Sequence, residues 1–146
     1  MATPTSDSPE FGPEVGYRRY VGPAQDYDIM AALQFTALFA LGLREEHYLL
    51  DIGCGSLRGG RLFIPYLAAE RYYGVEPNEW LVKEGIAENV SEGLVALKRP
   101  VFASIDDFSY ESFGREFDFI LAQSILSHTY EDLTLDALRG VRAVLA

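Results

Sequence analysis

Two carboxylates and a pair of glycines are the residues of this chain whose type and spacing point most directly to chemistry. Leu49-Leu50-Asp51-Ile52 is an apolar run that ends in Gly53-Cys54-Gly55, with Gly59 and Gly60 shortly after. Lacking Cβ atoms, Gly53 and Gly55 let the backbone fold tightly and let a ligand press against it. Glu76 closes the next apolar run, 25 residues after Asp51. That is close to the ~20-residue offset at which open α/β folds hold the hydroxyls of a ribose. The plain alternatives are an ordinary strand-to-helix turn and a solvated acid at a strand end. The glycine spacing also bears on the charge of a ligand. Turns that bind pyrophosphate use Gly-x-Gly-x-x-Gly and a helix N-terminus. Here the spacing is Gly53-x-Gly55-x-x-x-Gly59, one residue longer, and Asp51 sits two residues before the first glycine. A carboxylate repels a pyrophosphate and attracts a sulfonium or an α-ammonium group. The turn therefore suits a cationic adenosyl ligand better than NAD.

Fewer signals surround this one. His128 follows a later apolar run and is a candidate to take a proton from an acceptor, because an imidazole near its reference pKa of ~6.5 is suited to that task. Packing beside a cofactor or capping a helix is the alternative. His47 precedes the first strand and is expected at the surface. Cys54 adjoins the turn and is expected as a small buried residue rather than a nucleophile. Arg58 and Arg61 are candidates for a cofactor carboxylate, with surface solvation as the alternative. Two histidines and one cysteine are too few for a metal site of the usual kind.

These residues need elements to hold them. Residues 1–16, rich in Pro, Ser, Thr and acid, read as a tail, and residues 17–146 as one domain. After the arm Tyr17-Arg18-Arg19-Tyr20-Val21-Gly22-Pro23, helical spacing of Ile29, Ala32, Leu33, Ala37 and Ala40 predicts a helix, with Asp26 or Asp28 to cap it and Gly42 to stop it. The remainder alternates. Strands are expected at 48–52, 71–76, 101–105 and 117–122, with helices from Gly59 to Leu67, from Asn78 as cap through Trp80, Leu81 and Ile86, and over Leu133, Leu135, Leu138, Val141 and Leu145. Such alternation predicts a doubly wound α/β fold whose mostly parallel sheet is covered on both faces. A strand order 3-2-1-4 would place the ligand crevice between strands one and four.

Three stretches resemble the motifs of class I S-adenosylmethionine-dependent methyltransferases, which have a Rossmann-like fold. Leu50-Asp51-Ile52-Gly53-Cys54-Gly55 looks like their first motif and Tyr73-Gly74-Val75-Glu76-Pro77 like their second. Phe117-Asp118-Phe119-Ile120-Leu121-Ala122-Gln123-Ser124 is similar to their fourth-strand motif. Gly53 to Gly60 resembles a subgroup of bacterial members. The resemblance covers roughly residues 45–146. It implies S-adenosylmethionine or S-adenosylhomocysteine as cofactor, with its methionine part at Asp51, Gly53, Cys54 and Gly55, its ribose at Glu76 beside Pro77, and Gln123 flanking the methyl-transfer site. The family's adenine-reading acid aligns with Ser104 or Ile105, with Asp106 and Asp107 just beyond. Tyr17, Tyr20 and Gln34 belong to a segment that can cover the cofactor in that family. The expected reaction is methyl transfer to an O, N or C nucleophile of a small molecule. A non-catalytic adenosyl-binding module is the alternative, because the family sheet has seven strands and the chain stops after the helix that follows strand four.

Composition narrows the partners. With 49% hydrophobic residues the chain can bury a core, and its net charge of −10 carries no basic stripe for nucleic acid or a membrane surface. The N-terminus lacks the basic and apolar regions of a secretory signal. No run approaches the ~20 apolar residues of a membrane span. A single cysteine suits a reducing compartment, so a cytoplasmic protein is expected. Residues 117–122 contain neither proline nor lysine to blunt an edge. A homodimer through the strand-four side is therefore expected.

Overall fold

The computed structural model describes residues 16–123 and 131–146. Four short strands, β1 (Leu49–Ile52), β2 (Tyr72–Val75), β3 (Val101–Ala103) and β4 (Phe119–Leu121), form one sheet in the order β3-β2-β1-β4. All three pairings are parallel, with Leu50 facing Tyr73 on one side and Ile120 on the other. The predicted order and sense are those observed. Parallel neighbours need crossovers, and helices supply most of them. They are α3 (Gly60–Tyr66) between β1 and β2, and α4 (Glu79–Gly85), a π-turn (Ile86–Val90) and α5 (Glu92–Lys98) between β2 and β3. Before the sheet come α1 (Tyr17–Tyr20) and α2 (Tyr27–Ala40), and after it α6 (Glu131–Val144).

Side chains alternate across a strand, and the core divides accordingly. Leu49 and Tyr72 point to the face covered by α2, α3, α4 and α5, where they meet Leu38, Leu57, Phe63 and Ile64. Leu50, Ile52, Tyr73 and Val75 point to the other face and pack with Tyr110, Phe117 and Val144. Asp51 shares the parity of Leu49. It is a charged residue at the C-terminal end of a strand whose four residues are all buried.

Some expectations are corrected. The apolar residues read as the packing face of α2 are on its outside, with Ile29 62% and Leu33 58% exposed. Its inner face is Tyr27, Ala31 and Leu38. The helix is apolar on nearly every side, so its spacing fits either face. In α6, likewise, Leu133, Leu135, Leu138 and Leu145 are exposed, and Ala137 and Val144 face inward. α6 packs closely at Gly140, where an added Cβ would meet the Phe108 carbonyl and lie 3.1 Å from the Phe108 Cβ. Asp26 and Asn78 occupy N-cap positions without making a capping bond, whereas Ser91 accepts from the Leu94 amide and caps α5. The fourth strand is shorter than expected, because Phe117 turns away to bond the end of α6. Its amide donates to the Val144 carbonyl at 2.7 Å, and its carbonyl accepts from the Ala146 amide at 3.0 Å. No described helix is long and apolar enough to cross a membrane.

Candidate functional site

The turn after β1 is bound to the end of β2. The amides of Gly53 and Cys54 both donate to the Val75 carbonyl, at 2.8 and 3.0 Å. The Gly55 amide donates to Glu76 Oε2 at 3.1 Å. To reach these partners the chain takes φ of +70° at Gly53 and +54° at Gly55, a region that glycine enters without a steric penalty. Leu57 also has a left-handed φ, +60°. It is held there by complete burial among Phe63, Ile64 and their neighbours. A second set of bonds ties the turn to α2. The buried Tyr27 hydroxyl lies 2.9 Å from Ser56 Oγ, and Asn89 Nδ2 donates to both the Tyr27 oxygen and the Ser56 carbonyl, each at 3.1 Å.

Three spaces that share lining residues border this turn and the end of β2. One is a recess walled by Asp51, Gly53, Cys54, Arg58, Gln34 and Gln123. A groove of about 530 Å³ shares Gly53, Arg58 and Gln123 with it and is lined further by Glu76, Asn78, Leu81 and the arm residues Tyr20 to Pro23. Past Glu76 lies a slot of about 200 Å³ whose apolar walls are Val82, Phe102 and Ala103, with Glu79, Lys83 and Ser104 alongside. Glu76 borders both groove and slot, so it stands at their junction.

The recess is rich in acceptors. Asp51 is 5% exposed, and burial pushes its carboxyl up to about 6. The Tyr72 hydrogen bond and the charge of Arg58 oppose that rise, and the charge of Glu76 adds to it. Gln34 Oε1 and Gln123 Oε1 are buried with no hydrogen-bond partner among the described residues. Such orphans are uncommon in a folded interior and mark a place where a donor belongs. Arg58 is half-buried, and Nη1 donates to the Val21 carbonyl at 3.0 Å. Its guanidinium remains the positive group at the recess, although burial pulls its pKa down.

The structure thus brings together Asp51, Gly53, Cys54, Gly55, Glu76 and Gln123 from three separate segments. Cys54 is buried, and its thiol is pushed well up by burial and by the carboxylates of Asp51 and Glu76. That suits a packing residue and opposes a nucleophile. Pro77 ends β2, and its carbonyl accepts from Ser104 Oγ at 3.4 Å. Of the four residues at or beyond the expected adenine position, only Ser104 reaches the slot. Ile105 packs in the core on the opposite face, and Asp106 and Asp107 line a separate depression beside Asp136 and Arg139 of α6. Arg61 leaves the site altogether and pairs with Asp28 at 2.6 Å. His47 is half-buried, its ring 5.4 Å from that of Phe119. Ser124 and His128 lie outside the described residues. Among those residues, no group of acids, histidines or cysteine is placed to hold a metal. Sequence reasoning missed Tyr27, Tyr72 and Asn89. They lie 29, 16 and 33 positions from Ser56, and nothing in local spacing links them to the turn.

A parallel sheet in this order, with a glycine turn after β1, an acid after β2 and a cleft at the β1–β4 switch point, defines the class I S-adenosylmethionine-dependent methyltransferase fold. Residues 50–146 match a family model described as a methyltransferase domain, and the chain belongs to that family. Comparison with curated proteins found no match. Among solved structures the chain is similar to magnesium protoporphyrin IX methyltransferase (ChlM) from Synechocystis PCC 6803 with bound SAM. The TM-score is 0.69 at 18% identity, covering 88% of this chain and 64% of that one. It is also similar to the sugar N-methyltransferase KedS8 from Streptoalloteichus sp. ATCC 53650, with a TM-score of 0.64 at 18% identity, covering 100% and 54%. A third is an S-adenosylmethionine-dependent methyltransferase from Clostridium acetobutylicum ATCC 824, with a TM-score of 0.61 at 18% identity, covering 83% and 47%. The chain spans between about half and two thirds of the length of these structures.

Proposed function

We propose that this protein binds S-adenosylmethionine and transfers its methyl group to an O, N or C nucleophile of a small-molecule acceptor. The observation that carries the reading is the set of unmatched acceptors around the glycine turn. Asp51 and the two orphaned amide oxygens of Gln34 and Gln123 suit the α-ammonium of a bound amino acid, and Arg58 beside them suits its carboxylate. Glu76, at the junction of groove and slot, suits a ribose diol. The apolar walls of Val82 and Phe102 suit the flat face of a purine. The order of these three environments along the cleft is that of methionine, ribose and adenine.

The same geometry disfavours a dinucleotide. The amides of Gly53, Cys54 and Gly55 already donate to Val75 and Glu76, so these three are not open to a phosphate. The recess also presents a carboxylate where a phosphate would need a donor.

When bound, the cofactor supplies an electrophilic methyl group on a sulfonium sulfur. The protein's part is to hold that group in line with an acceptor lone pair and to keep water out. Positioning of this kind contributes up to ~7–11 kcal/mol. Gln123, at the carboxyl end of β4, flanks the place where acceptor and methyl would meet. His128 is the residue proposed to receive the acceptor's proton. The test is calorimetric titration with S-adenosylmethionine, S-adenosylhomocysteine and NAD. Binding of the first two without NAD is expected. NAD binding alone would overturn the reading, and adenosyl binding with no methyl transfer to any acceptor would favour a binding module instead.

A further inference from the structure

Tyr72 is a buried titratable residue that the cleft itself does not use. Its side chain is 2% exposed, and it is packed against Phe102 at the start of β2. Its hydroxyl donates to Asp51 Oδ2 at 2.7 Å. Gly60 makes room for this hydroxyl, and Gly74 for the neighbouring Cys54 thiol. A Cβ at Gly60 would lie 2.8 Å from the Tyr72 hydroxyl, and a Cβ at Gly74 would lie 2.9 Å from Cys54 Sγ. A tyrosine here is not needed to fill space, since phenylalanine would fill it equally. What the hydroxyl adds is one directed bond to the acid of the recess.

We propose that Tyr72 is a positioning residue for cofactor binding, its hydroxyl fixing the Asp51 carboxylate so that the other oxygen meets the ammonium end of the cofactor. The proposal rests on the methyltransferase reading above. The groups facing Asp51 are Tyr72 from β2, Arg58 and Cys54 from the turn, and Glu76 after β2. Burial is the largest influence and raises the carboxyl. Tyr72 is the strongest of the influences that lower it again, ahead of Arg58. Removing the hydroxyl therefore lets the acid rise further and leaves its carboxylate free to turn.

The readout is S-adenosylhomocysteine affinity by calorimetry between pH 5 and 8, for the parent and for Tyr72→Phe. An ionised Asp51 is required to meet an ammonium, so parent affinity falls as pH drops through the region of about 6. In Tyr72→Phe the midpoint of that fall moves to higher pH. A one-unit move would lower affinity by up to ~10-fold at pH 5.5, each unit being tenfold in the ionised fraction there. In an Asp51→Asn background the tyrosine substitution should leave the pH profile where it is. Gly60→Ala, whose added methyl crowds the same hydroxyl, should move the midpoint in the same direction and carries the test should Tyr72→Phe fail to fold. An affinity loss of equal size at every pH would reduce Tyr72 to a packing residue and overturn the proposal. Absence of adenosyl binding by the parent at any pH would instead sink the methyltransferase reading on which it rests.

Discussion

Replacing Asp51 by asparagine keeps the shape of the side chain and removes its charge, which separates what the acid does for folding from what it does for a ligand. In the folded protein burial holds this carboxyl at about 6, against an ordinary value of 3.8. The shift is about two units, or ~3 kcal/mol at ~1.36 kcal/mol per unit. The sign is unusual for an aspartate. Because the folded value lies above the unfolded one, the folded state holds the proton more tightly, and stability is lost as pH rises from about 4 through about 6. Asparagine carries no such penalty. Its oxygen can still accept from Tyr72, while taking its extra amide donor out of water returns ~1–2 kcal/mol of the gain. The net expectation at pH 7.5 is a variant more stable by ~1–2 kcal/mol, or roughly 3–8 °C in Tm for a chain of this size. Thermal and urea melts at pH 7.5, 6 and 4.5 check it. The advantage of Asp51→Asn should shrink as the parent's carboxyl protonates and be nearly gone at the lowest pH. The same variant should bind S-adenosylhomocysteine more weakly and without the parent's fall below pH ~6, since a neutral amide cannot replace a carboxylate beside an ammonium. A variant that is less stable at pH 7.5, or whose advantage ignores pH, would refute the burial argument. Undiminished binding would refute the role assigned to the acid.

Glu76→Gln should weaken S-adenosylhomocysteine binding by about 1.5–3 kcal/mol, the range for hydrogen bonds to a charged group. Unchanged affinity in calorimetry would leave Glu76 with only its bonds to Gly55 and Asn78. Gly55→Val should abolish binding while a cooperative melt survives at lower Tm. The added Cβ would sit 2.8 Å from Val21 Cγ1 at a φ of +54°, so it displaces the arm that roofs the groove. Retained binding would place the ligand elsewhere. In the described structure β4 pairs only with β1, and the end of α6 bonds Phe117 but not Phe119 to Leu121. A hydrogen-bonding edge of this kind recruits another chain, so the 146-residue chain is expected to elute as a two-fold dimer. Light scattering that shows a monomer at tens of micromolar would rule that out.

The sequence alone determined the strand–helix alternation, the sense of the sheet and the two motifs at the ends of β1 and β2, though not α5, which it did not show. All of these are local signals. An apolar run that stops at Gly53-Cys54-Gly55, or at Glu76-Pro77, is legible because a strand must end where the backbone needs a positive φ or loses an amide donor. Only the tertiary structure decided which faces of the helices are inside. The apolar residues of α2 surround its axis, so Ile29 and Leu33 satisfy a helical period as well as Ala31 and Leu38 do. The choice falls to Tyr27, whose hydroxyl must reach Ser56. The fate of the residues after β3 was equally hidden. Ser104, Ile105 and Asp106 are adjacent in the chain, yet the turn out of the sheet sends them to the slot, the opposite core and a separate depression. The chemistry of the recess was hidden for the same reason. Gln34, Asp51, Arg58, Tyr72 and Gln123 are up to 89 positions apart, and the long-range packing of the sheet and its helices gives one carboxylate its raised pKa and leaves two amide oxygens without a donor.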